Sequence, residues 1–310
     1  MSSTLLSDGM QYLAGAGIRP DPARGFTLIE QAADAGDPQG AWLAATINSC
    51  SFWRPVNWQC ALDYLVLAAR LGHGPAQSSL QILAGGPLGD PANGDDWEQM
   101  RSTVDLAAWF TAAPVTQLRE SPSLYVIEKF LSPAVCDWVI AQARDGLVRA
   151  TIYDKVTGGT TADNRRTNSE CELGIDRCGV LTFVIRGRIA AITGKVDNAM
   201  EVPKVLHYAP GETFANHFDF LNPKEPAYAA QLAERGQRTH TLLVYLNEEY
   251  EGGETHFPKI DFKNRGARGD AFLFANVDAA GEPDYLTMHA GLAPESGEKW
   301  LFSQWIRGKP

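Results

Sequence analysis

The sequence predicts an α+β chain, with a helical N-terminal part joined to a β-rich remainder of sandwich or barrel type, the jelly roll included. Three observations point there. Ala32-Ala33-Asp34-Ala35-Gly36 returns as Ala68-Ala69-Arg70-Leu71-Gly72, a shift of 36 residues, and a period in this range marks stacked helix pairs. The pattern changes at Ala113-Pro114, where a linker begins and strand-like runs take over. From about residue 150 many short strand-like runs are separated by turns, as in paired or closed antiparallel sheets.

In the N-terminal part, amphipathic stretches from Gly25 to Gln31 and from Cys60 to Leu67 precede the two copies. The Gly that ends each copy caps its helix, and the small residues that follow let the next helix approach closely. Tyr12 to Ile18, with Asp21 and the Ala-Ala-x-x-Gly that follows, resembles a Sel-like repeat, a relative of the tetratricopeptide repeat. About two units are legible, the second with an irregular insert around Phe52 to Trp58. Residues 84–95 form a turn-rich break, and a further helix is expected from Trp97 to Thr111. The reading is therefore a helical repeat module over 1–112 and a second domain over 113–310.

In the second domain Leu124 to Ile127 reads as a strand. Ser132 to Leu147 reads as a helix, with Ser132 as N-cap and Pro133 at the first helical position. Arg177 to Thr193 is a further helix. Strands are expected over 202–208, 213–218, 239–246, 254–257, 271–276, 287–290 and 299–307.

Composition narrows the function classes. A formal net charge of −10 argues against nonspecific nucleic-acid binding, which needs basic surface to neutralise phosphates. Five cysteines without a CxxC pair favour reduced thiols over a disulfide or zinc framework. The N-terminus lacks the basic start and apolar run of a signal peptide. No stretch is apolar for long enough to span a bilayer. A cytoplasmic protein is the expectation.

His217-Phe218-Asp219 places an imidazole and a carboxylate two residues apart. On a strand such residues share a face and can meet one metal. His289, in Thr287-Met288-His289-Ala290-Gly291, is the best-placed second imidazole. Two His and one carboxylate on one face of an octahedron leave positions open for a cosubstrate and oxygen, the facial triad of nonheme iron(II) oxygenases. Lys299 stands in the otherwise apolar run Lys299-Trp300-Leu301-Phe302. A buried ammonium needs an anion, and the distal carboxylate of 2-oxoglutarate would serve. Arg307, at the chain end, is the alternative partner. Extra imidazoles at His240 and His256 are read as hydrogen-bonded structural residues.

These blocks occur together and in order. They are Tyr208…Gly211…His217-x-Asp219, Arg238-Thr239…Tyr245-Leu246-Asn247, Gly252-Gly253-Glu254-Thr255-His256-Phe257-Pro258, Gly269-Asp270-Ala271…Phe274, and His289-x-Gly291 with Gly297-Glu298-Lys299-Trp300…Trp305-Ile306. Over about residues 122–307 the chain resembles the catalytic domain of the prolyl 4-hydroxylase α subunit. The resemblance implies a double-stranded β-helix, or jelly-roll core, with Fe(II) held by His217, Asp219 and His289. It implies 2-oxoglutarate and O2 as cosubstrates, ascorbate as an accessory reductant, and Tyr208 and Lys299 on the distal carboxylate with Thr255 nearby. It also implies hydroxylation of a prolyl residue in a peptide or protein, with succinate and CO2 as products. The segment Asp154 to Ser169 reads as a lid over a peptide groove, with Arg166 as its substrate contact. Two other readings remain open. One is hydroxylation of a free amino acid or small metabolite. The other is a repeat-based adaptor or oxygen sensor with little turnover. The N-terminal repeats, which carry Trp42, Trp53, Trp58, Trp97 and Trp109, are expected to bind a protein partner and to supply no iron or 2-oxoglutarate ligand.

Overall fold

The computed structural model describes residues 2–86, 95–153 and 159–310. The chain forms two compact units. One comprises Met1–Thr111 with Gly174–Thr193, the other Ala112–Leu173 with Gly194–Pro310. No helix among the described residues is long and apolar enough to cross a membrane.

In the first unit, helices Ser2–Ala14, Pro22–Asp34, Pro38–Ser49, Trp58–Arg70 and Gly74–Leu83 follow one another, each packed on the next. The 36-residue recurrence extends to their caps. Asp21 and Asn57 each cap a helix by accepting from the backbone three residues on, at Arg24 and Cys60. Gly36 and Gly72 both take positive φ, 85° and 83°, a conformation that glycine enters without a Cβ penalty. The turn bonds match as well. Asp37 N–H donates to Ala32 O and His73 N–H to Ala68 O, each at 3.0 Å. Asp37 and His73 then cap the next helices through their side chains.

Two features of this unit were not legible in the sequence. The helix expected from Trp97 to Thr111 is two helices, Asp95–Thr103 and Leu106–Trp109. Asp105 starts the second by accepting from Ala108 N–H at 3.0 Å, and a cap of this kind competes with continuation of the first helix. The helix Ile175–Thr193, which comes from the middle of the chain, packs on Pro38–Ser49. Gly179 within it has a φ of 57° and lies under the Trp42 ring, where a Cβ would stand only 2.0 Å from the indole. Trp42 and Trp97 are buried, whereas Trp53 keeps 42% of its surface exposed.

The second unit is built on two large antiparallel sheets, with two further two-stranded pairs among the described residues. The larger has eight strands in the order Thr116–Arg119, Leu124–Ile127, Ala271–Ala275, Arg238–Tyr245, Lys299–Arg307, Lys204–Tyr208, Ser169–Glu172 and Val148–Arg149. The smaller runs Phe262–Asn264, Thr255–Phe257, His289–Gly291 and Phe214–His217. Leu206, Leu243, Phe272, Phe274 and Leu301 of the large sheet share one core with Phe257 of the small sheet. Each such ring or branched side chain contributes about 1.5–3 kcal/mol when fully buried. The helix Pro133–Arg144, capped by the Ser132 hydroxyl, packs on the Ser169–Glu172 and Lys204–Tyr208 strands.

The strand period positions the site. Successive side chains on a strand face opposite ways, so Lys204, Leu206 and Tyr208 line one cavity together. Lys299, Leu301, Ser303 and Trp305 line the same cavity from the neighbouring strand. The two strands pair with Lys299 opposite Tyr208 and Leu301 opposite Leu206.

Candidate metal centre

His217, Asp219 and His289 come together with their donor atoms within 4.8 Å of one another. His217 closes the strand Phe214–His217, and His289 opens the strand His289–Gly291. The two are direct partners across the sheet. Asp219 is not on the strand, as the i, i+2 argument requires, because the chain bends immediately after His217. The bend brings the carboxylate between the imidazoles, with Oδ1 3.6 Å from His217 Nε2 and Oδ2 3.6 Å from His289 Nε2. Phe218, between the two, lines an outer groove and stacks among Phe220 and Tyr285.

The tautomers follow from the backbone. His217 Nδ1 lies 2.9 Å from Ala215 O, and His289 Nδ1 lies 2.9 Å from Thr287 O. A carbonyl oxygen only accepts, so each Nδ1 carries a proton and Nε2 is the ring atom each residue presents to a metal. Burial, aided by His289 and opposed by Asp219, lowers the His217 pKa to about 3, which keeps the ring neutral as a ligand must be. Burial works to raise the Asp219 pKa, but His289, His217 and the Thr241 hydrogen bond prevail and hold it below the usual carboxylate range. Two imidazoles that present Nε2 and an ionised carboxylate fit a divalent iron.

Lys299 is fully buried, and its Nζ has no hydrogen-bond partner among the described residues. It lies 4.9 Å from the centre of the Tyr208 ring. Burial lowers its pKa to about 7, with Glu254 pulling the other way. Thr255 is buried on the same cavity wall. Burial also raises the Tyr208 hydroxyl pKa. A Cβ on Gly291 would come within 2.9 Å of that hydroxyl, so glycine leaves room for the phenol. An orphaned ammonium in a cavity that also holds the metal donors is the setting an anionic cosubstrate requires. Arg307 is not on this wall. It pairs with Glu201 and donates to Gly236 O and Gln231 Oε1. His240 is half-buried beside the Thr239 hydroxyl, and desolvation lowers its pKa to about 4.

Arg166 lines both the inner cavity and an open groove of about 880 Å³ beside it. Its guanidinium donates to Glu170 Oε2 at 2.6 Å, Thr151 O at 2.9 Å and Asn168 Oδ1 at 3.3 Å. It also lies 4.4 Å from the centre of the Phe214 ring. Lys204 holds the other oxygen of Glu170 at 3.1 Å. The segment read as a lid is described in part, since residues 154–158 lie outside the described residues. Thr160–Thr161 pairs with Ile152–Tyr153, and Arg166 bridges to Phe214 beside the strand that carries His217.

Sequence reasoning missed Thr241, Asn276, Glu170, Lys204 and Trp305. A polar residue opening the apolar run Thr241-Leu242-Leu243-Val244-Tyr245 was the signal for Thr241, by the logic that singled out Lys299. Of the partners of Glu170, Arg166 is four residues away and Lys204 is 34 away, and no strand or helix period marks the three as a group.

Residues 203–307 match the family model described as 2OG-Fe(II) oxygenase superfamily. The chain is 32% identical to prolyl 4-hydroxylase 1 of Arabidopsis thaliana over 203 residues, 61% of this chain and 70% of that protein. It is 31% identical to prolyl 4-hydroxylase subunit alpha-1 of Rattus norvegicus over 64% of this chain and 37% of that one. Among solved structures, the viral collagen prolyl hydroxylase of Paramecium Bursaria Chlorella virus-1 aligns at 28% identity. Its TM-score is 0.45, over 59% of this chain and 95% of that one.

Proposed function

The chain belongs to the prolyl 4-hydroxylase family of 2-oxoglutarate- and Fe(II)-dependent oxygenases, and from that premise we propose that it hydroxylates a prolyl residue in a peptide or protein. The enzyme is a 2-oxoglutarate-dependent dioxygenase, and its cofactors are Fe(II), 2-oxoglutarate and O2. The observation that carries the residue assignment is the pairing of the His217, Asp219 and His289 cluster with the orphaned Lys299 ammonium in one cavity.

His217 and His289 would hold the iron through Nε2, and Asp219 through its carboxylate. Lys299 and Tyr208 would take the distal carboxylate of 2-oxoglutarate, with Thr255 beside them. When bound there, Fe(II), 2-oxoglutarate and O2 supply the oxidation that inserts oxygen into a C–H bond, with succinate and CO2 as by-products. The chain's own part is to fix the two imidazole tautomers, keep Asp219 ionised and keep water from the apolar cavity wall formed by Leu206, Leu243 and Leu301. Arg166 stands where cavity and groove meet. Its contacts with Glu170, Thr151 and Asn168 leave the second hydrogen of each terminal nitrogen for a substrate carbonyl.

The groove favours an extended chain over a small metabolite. Thr160, Thr161, Phe218, Tyr228 and Trp305 are among the residues that line it, and it is open to the surface. The two sheets are read as a double-stranded β-helix, and the N-terminal helices as Sel-like repeats that bind a protein partner. The test is succinate release from the purified iron-loaded enzyme with proline-rich peptides, with free proline and with neither. Mass spectrometry should find one added oxygen on a prolyl residue of the peptide. Turnover of free proline alone would establish the small-molecule reading. Succinate release that no substrate raises would favour the adaptor or sensor.

A further inference from the structure

Asp219 is also held by a relay that neither the family blocks nor the metal assignment includes. Thr241 Oγ1 donates to Asp219 Oδ2 at 2.7 Å, and Asn276 Nδ2 donates to Thr241 Oγ1 at 2.9 Å. The directions are forced. An ionised carboxylate only accepts, so the single hydroxyl proton of Thr241 goes to Asp219. The hydroxyl oxygen is then left to accept from the Asn276 amide. Thr241 and Asn276 have no solvent exposure, and Asp219 has 4%, so no water stands in for either donor.

The scaffold holds the relay rigidly. Thr241 sits on the central strand Arg238–Tyr245, paired with Phe274 on one side and Trp305 on the other. Asn276 follows directly on the strand Ala271–Ala275. It is anchored by its own backbone, donating to Thr239 O at 2.8 Å and accepting from Asp284 N–H at 3.0 Å. The relay thus ties a carboxylate on a bend to two strands of the large sheet.

We propose that Thr241, oriented by Asn276, is a positioning residue for the metal centre, fixing the rotation of the Asp219 carboxylate so that Oδ2 is engaged by the hydroxyl and Oδ1 is the less encumbered oxygen. Without the relay, Asp219 rests on a bend whose tie among the described residues is a 3.4 Å contact from Arg238 Nη1 to its carbonyl. The side chain is then free to turn. Partners that orient metal ligands typically change metal affinity by 10–100-fold when removed.

The inference rests on the metal assignment above, and the experiment separates the two. Mn(II) and Co(II) binding to the full-length protein is titrated by calorimetry, and the visible spectrum of the Co(II) form is recorded. Thr241→Val keeps the shape and removes the hydroxyl. It should bind both metals 10–100-fold more weakly and alter the Co(II) absorption bands, whereas Thr241→Ser should restore both. Asn276→Ala should shift the Co(II) bands with a smaller loss of affinity, and it carries the test if Thr241→Val does not fold. Asp219→Ala is the control for the metal assignment. If it loses binding while Thr241→Val and Asn276→Ala match the parent in affinity and spectrum, the relay is structural only and the inference fails. If Asp219→Ala itself binds like the parent, the metal assignment fails.

Discussion

Lys299 and Tyr208 face each other across the antiparallel strands Lys299–Arg307 and Lys204–Tyr208, with the ammonium 4.9 Å from the centre of the phenol ring. No group of the described residues hydrogen-bonds that ammonium, so the site is prepared for an anion from outside. Lys299→Ala should weaken 2-oxoglutarate by roughly 2–5 kcal/mol, the usual cost of removing one partner of a buried charged pair. Metal affinity should stay within a few-fold of the parent. Calorimetric titration of 2-oxoglutarate into the Mn(II)-loaded variant measures this. An unchanged affinity would show that another group holds the carboxylate.

The same lysine predicts a pH dependence. Its pKa in the empty site is about 7, against 10.5 for an exposed lysine. Below about pH 7 the empty site is already charged and binding takes up no proton. Above it the amine is neutral, and pairing with a carboxylate requires a proton from solvent. Affinity for 2-oxoglutarate should therefore be flat below about pH 7 and fall by roughly tenfold per unit above it. Calorimetry at pH 8 in buffers of different ionisation enthalpy should show proton uptake. A flat affinity between pH 7 and 9 would contradict the burial argument.

Replacing any one of His217, Asp219 and His289 by Ala should abolish iron retention and succinate release while leaving the fold intact. Metal analysis by mass spectrometry and circular dichroism check the two halves. His217 and Asp219 sit at a strand end and a bend, whereas His289 packs against the core rings of Phe257 and Phe274, so circular dichroism matters most for His289→Ala. Full activity in a purified, iron-supplied variant would remove that residue from the ligand set.

Removing the N-terminal helices alone should fail. The buried residues Val180, Leu181, Val184, Ile185 and Ile189 lie on the helix Ile175–Thr193, which clusters with Met1–Thr111. A chain beginning at Pro114 leaves that helix without the helices it packs on. It should aggregate, as read by light scattering. Replacing residues 174–193 by a short polar linker in the same truncation should restore a soluble species. A monodisperse chain from Pro114 without that replacement would show that the helix finds other cover.

Much of this was legible because strand periodicity and turn chemistry are local. The strand Lys299–Arg307 was read with its bounds as observed, and the ligand types at His217, Asp219 and His289 stand in short, ordered blocks. The bend that carries Asp219 was not legible, because an HxD on a strand and an HxD across a strand end look alike. Nor was the attachment of Ile175–Thr193 to the N-terminal helices. Its fit depends on Trp42 over Gly179, and the Trp42 indole and Asp176 O that meet at 3.4 Å are 134 residues apart. Pairing across such a distance leaves no periodic trace.

That long-range closure bears on how the chain folds as it is made. The first unit is interrupted by Ala112–Leu173 and completed by Gly174–Thr193. At ~5–20 residues per second of synthesis, the stretch from Thr111 to Thr193 takes about 4–16 s to emerge. For that time the early helices lack the partner that covers Trp42. The nascent chain therefore carries an exposed apolar face well after its first five helices can form. A chaperone that binds such faces has its window before the helix arrives, and slow translation between residues 112 and 193 lengthens it.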